Sequence, residues 1–164
     1  MIVISDTTPL ISLIKINHLE LIEELFGEIQ IPDSVYRELV SNDRFKAEAE
    51  EIRKYSNIKR VKVTNEKSVR LLQRATGLDI GESEAIILSD QIKADLLLMD
   101  EVKGRQVARN MGISIMGTIG ILMQAFDSKL LNKKEIEDCI LVLRSNGRHI
   151  SDRLYEQLLE KINK

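Results

Sequence analysis

With 164 residues the chain has the length of one domain and enough mass for a real core. Its 43% hydrophobic and 30% charged residues are ordinary for a globular protein, and the lack of Trp leaves Ile, Leu, Val and Ala to build the interior. A net charge of −2 excludes a generic nucleic-acid coat, though not an enzyme with a local basic rim.

The chain opens on Ile2-Val3-Ile4-Ser5-Asp6, a short buried strand with no basic stretch before it, so it does not read as a signal peptide. After Asp6, Thr7 or Thr8 can cap a helix with Pro9 in its first turn and Leu10, Leu13 and Ile14 inward. Residues 18–26 continue helically until Gly27, and residues 28–31 form a short strand. Pro32-Asp33-Ser34 opens a helix with Val35, Leu39 and Val40 on one side. Residues 43–56 read as a polar, exposed helix, Val61-Lys62-Val63 as a strand, and residues 65–75 as a helix ended by Gly77. After Gly81 a strong apolar face follows at Ala85, Ile86, Leu88 and Ile92. Leu96-Leu97-Leu98-Met99 is a strand, residues 102–110 a helix before Gly112, and residues 113–116 a last strand. Residues 119–126 are apolar nearly all round and are expected to be buried. Two more helices carry Ile136, Cys139, Ile140 and Leu143, then Tyr155, Leu158, Leu159 and Ile162, with Asn146-Gly147 between them. Cys139 is the only cysteine, which rules out an internal disulfide and fits a cytoplasmic location. No apolar stretch is long enough to span a membrane. The alternation of strands and helices predicts the α/β class.

Asp6 and Asp100 each stand at the end of an apolar strand. In an open parallel sheet the carboxyl ends of the strands are where ligands bind. Two acids delivered there repel unless a cation lies between them. Glu38, Asp79, Glu82, Glu84 and Glu101 are further acids in the same segments, and oxygen ligands of this kind suit Mg²⁺ or Mn²⁺.

Four motifs give the pattern a family likeness. Ser5-Asp6-Thr7-Thr8-Pro9-Leu10-Ile11 resembles the opening motif of PIN-domain nucleases, and Gly81-Glu82-Ser83-Glu84-Ala85-Ile86 resembles their central acidic helix start. Leu98-Met99-Asp100-Glu101-Val102-Lys103-Gly104-Arg105 is similar to the acidic strand end of a branch related to VapC toxins, and Gly117-Thr118-Ile119-Gly120-Ile121-Leu122 to the helix after it. The resemblance implies one three-layer α/β/α domain with a mostly parallel sheet, a core over about residues 1–130 and a helical tail over about 132–164. It implies a Mg²⁺- or Mn²⁺-dependent endoribonuclease that leaves a 5′-phosphate and a 3′-hydroxyl. The family's four acids fall on Asp6, Glu38, Glu82 and Asp100, with Asp6, Glu82 and Asp100 as metal ligands. Glu82 stands where the classical toxins usually have Asp, and Glu101 where this branch often has a second Asp. Thr7 and Thr8 are placed to hydrogen-bond a carboxylate or phosphate, and Lys103 and Arg105 to hold RNA phosphates. The partners implied are RNA, a small antitoxin protein and a second copy in a homodimer.

Other readings stand beside these. Asp6 and Asp100 could cap the helices that follow them, and Asp79-x-x-Glu82 has the spacing of a capping box. Glu84 could replace Glu82 as ligand, and Glu38 could be a solvated helix residue. The run from Arg144 to Arg153, with Arg148 and His149, reads as a solvated turn between helices, His18 as structural or exposed, and Cys139 as core. A dehalogenase-like phosphatase needs an acid two positions after Asp6, where Thr8 stands, and the features of a receiver domain are lacking. A non-catalytic scaffold of the same fold, binding RNA or a protein, remains the alternative.

Overall fold

Apolar runs of three or four residues make short strands, and their alternating side chains feed two separate cores. The computed structural model of the chain describes residues 1–147 and 150–164. Five strands, β1 (Val3–Ser5), β2 (Ile29–Pro32), β3 (Ile58–Val61), β4 (Leu96–Leu98) and β5 (Ile115–Met116), form one sheet in the order β3-β2-β1-β4-β5. Every pairing is parallel, and β1 lies against β4 with Val3 opposite Leu96 and Ser5 opposite Leu98. Val3 and Leu98 point into one core, while Ile4, Leu97 and Met99 point into the other, as the two-residue period of a strand requires. The fold is therefore a parallel sheet buried on both faces.

The helices divide between the two faces. On the face of Ile4 lie α5 (Glu66–Thr76), α6 (Ile80–Gln91) and α7 (Val102–Asn110), which contribute Val69, Ile86 and Ala108. The other face carries α1 (Thr7–Lys15), α2 (Leu21–Phe26), α3 (Asp33–Ser41), α4 (Lys46–Lys54) and α8 (Thr118–Asp127). The last helices, α9 (Lys133–Ser145) and α10 (Asp152–Ile162), pack on that same core through Ile136, Cys139, Leu143, Leu158 and Ile162. Arg144 of α9 stacks on the Tyr155 ring of α10, with 3.9 Å between guanidinium and ring centre. Arg148 and His149 lie outside the described residues. No helix among the described residues is long and apolar enough to cross a membrane.

Three local expectations differ from the structure. The second helix begins at Leu21, not at residue 18, because α1 ends in a left-handed Asn17 and His18 N–H donates back to Leu13 O at 2.9 Å. The strand expected at 61–63 lies at Ile58–Val61; Ile58 and Val61 pair with Ile29 and Pro32, and Val63 leaves the sheet to join the core. The helix expected to be exposed over 43–56 starts as a 3₁₀ turn at Asp43–Phe45, and α4 buries Ala49 and Ile52. Its Glu48 is buried as well and meets Lys15 at 3.5 Å.

Candidate active site

The sheet order fixes where a site belongs. From β1 the chain winds outward through β2 to β3, then returns to lay β4 on the opposite side of β1. The direction of winding reverses between β1 and β4, and the crevice beyond their carboxyl ends is the switch point of the sheet. Asp6 directly follows β1 and Asp100 follows β4 by two residues. Asp6 N–H also donates to Leu98 O at 2.9 Å, which ties the two strand ends together.

Asp6 is 5% exposed. Burial pushes its carboxyl up to about 8, and the charges of Glu82, Asp79 and Glu38 push the same way, against a hydrogen bond from the Thr7 backbone. Asp6 occupies the cap position of α1 but makes no side-chain cap bond, so capping does not account for it.

Glu38 reaches the site from α3. It is solvent-exposed, yet its Oε2 accepts a hydrogen bond from Thr7 Oγ1 at 2.8 Å. Gly81 lies beside it; a Cβ there would sit 3.5 Å from Glu38 Oε2 and 3.6 Å from Asp79 Oδ1. Asp79 and Glu82 form a complete capping box at the start of α6. Glu82 N–H donates to Asp79 Oδ1 at 2.8 Å, and Asp79 N–H donates to Glu82 Oε2 at 3.0 Å. Partial burial raises the Glu82 carboxyl, and Asp79, Glu101 and Glu38 add to the rise. The local backbone thus sets two acids beside Asp6.

Asp100 is fixed from α8. Its Oδ1 accepts Thr118 N–H at 2.7 Å and its Oδ2 accepts Thr118 Oγ1 at 2.6 Å, so it holds the first residue of α8. Arg105 packs beside it and donates through Nη1 to Met99 O at 3.0 Å. Burial lowers the guanidinium of Arg105 and the nearby Arg109 adds to this, while Asp100 offsets them. A groove of about 730 Å³ runs past Thr8, Glu82, Asp100 and Arg105 and continues between Met116, Met123 and Leu154.

The sequence candidates therefore separate into groups. Asp6, Glu38 and Glu82 come together, joined by Asp79. Asp100 shares the groove with Glu82, Glu101 and Arg105. Lys103 does not join them: it is exposed and its Nζ lies by Gly77, 3.2 Å from where a Cβ would be. Glu84 is also elsewhere, in a different cavity with Arg37 and Lys62. His18 bonds Glu20 at 2.8 Å in the turn between α1 and α2. Cys139 is core, its thiol pushed up to about 11 by burial. Sequence reasoning placed Gly117 and Thr118 in a motif but gave neither a role at the site. A Cβ on Gly117 would stand 2.8 Å from Asp100 Oδ1 and 2.7 Å from Arg105 Nη1, so the glycine makes room for both. The only local signal was a Gly-Thr pair opening an apolar helix.

A family model described as PIN domain matches residues 2–164. The chain belongs to the PIN-domain family. The matched region takes in all five strands and the acids of the switch point. PIN domains are generally nucleases and typically use divalent metal ions, which agrees with a carboxylate-rich crevice at this position. No curated protein matches this PIN domain at a significant level.

Proposed function

We propose that this PIN domain is a metal-dependent endoribonuclease that hydrolyses RNA phosphodiesters, and that it is the toxin of a toxin–antitoxin pair of the VapC-like kind. One observation carries the reading. Asp6 is buried at the switch point among Glu82, Asp79 and Glu38, whose charges all disfavour its ionised form. Such a group is costly in isolation and suited to a bound positive charge.

The donors fit Mg²⁺ or Mn²⁺. They are all carboxylate oxygens, and hard divalent ions prefer oxygen. Among the described residues no three acids, histidines or cysteines stand close enough to form a ready-made cage. Mg²⁺ needs no such cage, since it binds through one or two carboxylates and keeps several waters. Asp6 and Asp100 would hold the ion, with Glu82 contributing directly or through water. Each Asp100 oxygen keeps a lone pair after its bond to Thr118. When bound, the ion supplies charge neutralisation at phosphorus and an activated water.

The chain's own residues do the positioning. Thr118 orients Asp100, and Thr7 holds Glu38 where it can orient water. Thr8 and Arg105 line the groove where a phosphate backbone would pass, and Arg105 offsets its charge. Lys103 would act farther along the strand. The apolar continuation of the groove offers an antitoxin segment a surface beside the acids.

The test is cleavage of single-stranded RNA with Mg²⁺ or Mn²⁺ and with EDTA, beside Asp6→Asn and Asp100→Asn. Cleavage that needs the ion and both aspartates supports the reading. Equal cleavage in EDTA, or wild-type rates in both variants, overturns it. A chain that cuts no RNA but binds a partner over the acids would be a scaffold.

A further inference from the structure

A separate cavity of about 250 Å³ is bounded by α3, the segment after β3, α5 and α6. It shares α3 and the start of α6 with the acidic crevice, but none of the crevice carboxylates. Glu84 lines it and is only 7% exposed. Among the described residues its carboxylate has neither a hydrogen bond nor an ion pair. Its oxygens open onto the cavity, where water or the donors of a ligand can meet them.

The rim has the opposite character. Arg37, Lys62 and Arg70 are exposed and border the opening. The two other acids there are engaged: Asp33 pairs with Arg60 at 2.6 Å, and Glu66 faces Arg70 at 4.0 Å. Arg37 reaches only the Asp33 carbonyl, at 3.4 Å, and Lys62 has no carboxylate partner among the described residues. Val63, Val69 and Ile80 supply apolar wall.

The geometry points to a nucleobase subsite for single-stranded RNA, which reads guanine through Glu84 and holds the adjoining phosphate on Arg37, Lys62 and Arg70. This rests on the ribonuclease reading, since it gives the substrate of the neighbouring crevice a place for one of its bases. The chemistry excludes simpler occupants. Rim cations repel a metal ion or a basic side chain, and Glu84 repels an anion alone. A nucleotide carries its anion at one end, a neutral donor edge at the other, and apolar faces between. The cavity lies just below the roughly 300–1,000 Å³ of ordinary small-molecule pockets, which suits a single base.

Guanine is selected by donor count. A carboxylate only accepts hydrogen bonds. Guanine offers two neighbouring donors, N1–H and the N2 amino group, to its two oxygens. Adenine and cytosine offer one amino group beside a ring acceptor, and uracil one N–H between two carbonyls. Unstacked bases of single-stranded RNA are commonly read on this edge. The subsite is also close to the acids: Gly81, whose Cβ would lie 3.5 Å from Glu38 Oε2, sits between Ile80 of this cavity and Glu82 of the groove.

Binding of the four nucleoside 5′-monophosphates to the full chain, followed by NMR titration, tests the subsite without any cleavage. GMP should bind about ten-fold or more tightly than AMP, CMP or UMP, in line with a bidentate pair. Glu84→Gln, nearly isosteric, should remove the preference. Lys62→Ala and Arg37→Ala should weaken all four nucleotides alike and flatten their salt dependence. Equal affinity for the four nucleotides in the wild-type chain overturns the proposal, as does a preference that survives Glu84→Gln. The two readings fail separately. GMP selectivity in a chain that cuts no RNA leaves the subsite and removes the nuclease, whereas cleavage with no GMP selectivity does the reverse.

Discussion

Replacing Asp6 with Asn probes the crevice without a substrate. In the folded chain the Asp6 carboxyl is pushed up from 3.8 to about 8. The folded state therefore keeps this proton over a range in which the unfolded state has lost it. By linkage, stability is greatest below pH about 4 and falls as the pH rises toward about 8. At pH 7 the unfolded chain has gained about 3 pH units of ionisation at about 1.4 kcal/mol each, or about 4 kcal/mol. Asn does not ionise, so Asp6→Asn should recover up to about 4 kcal/mol at pH 7 in EDTA, worth about 8–16 °C for a chain of this size. At pH 4 the gain should nearly vanish. Divalent metal narrows the gap: ion at about 100 times its Kd adds about 2.7 kcal/mol to the wild type and little to Asp6→Asn. Differential scanning calorimetry at pH 4 and 7, with EDTA or Mn²⁺, reads all of this. An Asp6→Asn protein no more stable than wild type at pH 7 in EDTA, or a gain equal at both pH values, would refute the argument.

Other variants separate the roles of the remaining residues. Glu82→Gln keeps the capping box, since Gln serves at that position, and removes a charge that repels Asp6; it should raise the melting temperature at pH 7 in EDTA while weakening Mn²⁺ binding in calorimetric titration. Asp79→Ala breaks the box and should cost about 1 kcal/mol, or about 2–4 °C in a thermal melt. Thr118→Val removes the hydroxyl donor to Asp100 Oδ2 and should lower metal affinity or RNA cleavage by about 10- to 100-fold with the fold retained by circular dichroism. Arg105→Ala should weaken RNA binding and reduce its salt slope by about one, and Lys103→Ala, placed by Gly77, should do so less.

Much of the fold is legible in the sequence because its signals are local. Apolar triplets ending in an acid mark β1 and β4, and Asn65, Gly77 and Asn132 mark helix ends through bonds within a few residues. The capping box of Asp79 and Glu82 is legible for the same reason. What the sequence does not show is partnership at long range. Thr118 is 18 residues from Asp100, and Gly117 matters only because Asp100 and Arg105 both converge on it. The choice between Glu82 and Glu84 sits in between. Two residues on a helix point about 200° apart, so they cannot share a site. Which of them faces the crevice depends on where α6 lies against β1 and α3, and the structure gives that place to Glu82.

The way the acids are held bears on what metal does here. Asp79 and Glu82 are fixed by reciprocal backbone bonds, Glu38 by Thr7, and Asp100 by Thr118. None of these bonds requires an ion, so the crevice keeps its shape while its carboxyls repel. Its cost then appears as a raised Asp6 pKa and not as a collapsed loop. Metal removal should accordingly lower stability in a pH-dependent way without unfolding the sheet. Each carboxylate-to-amide variant should fold because it removes charge and leaves the hydrogen-bonded frame intact.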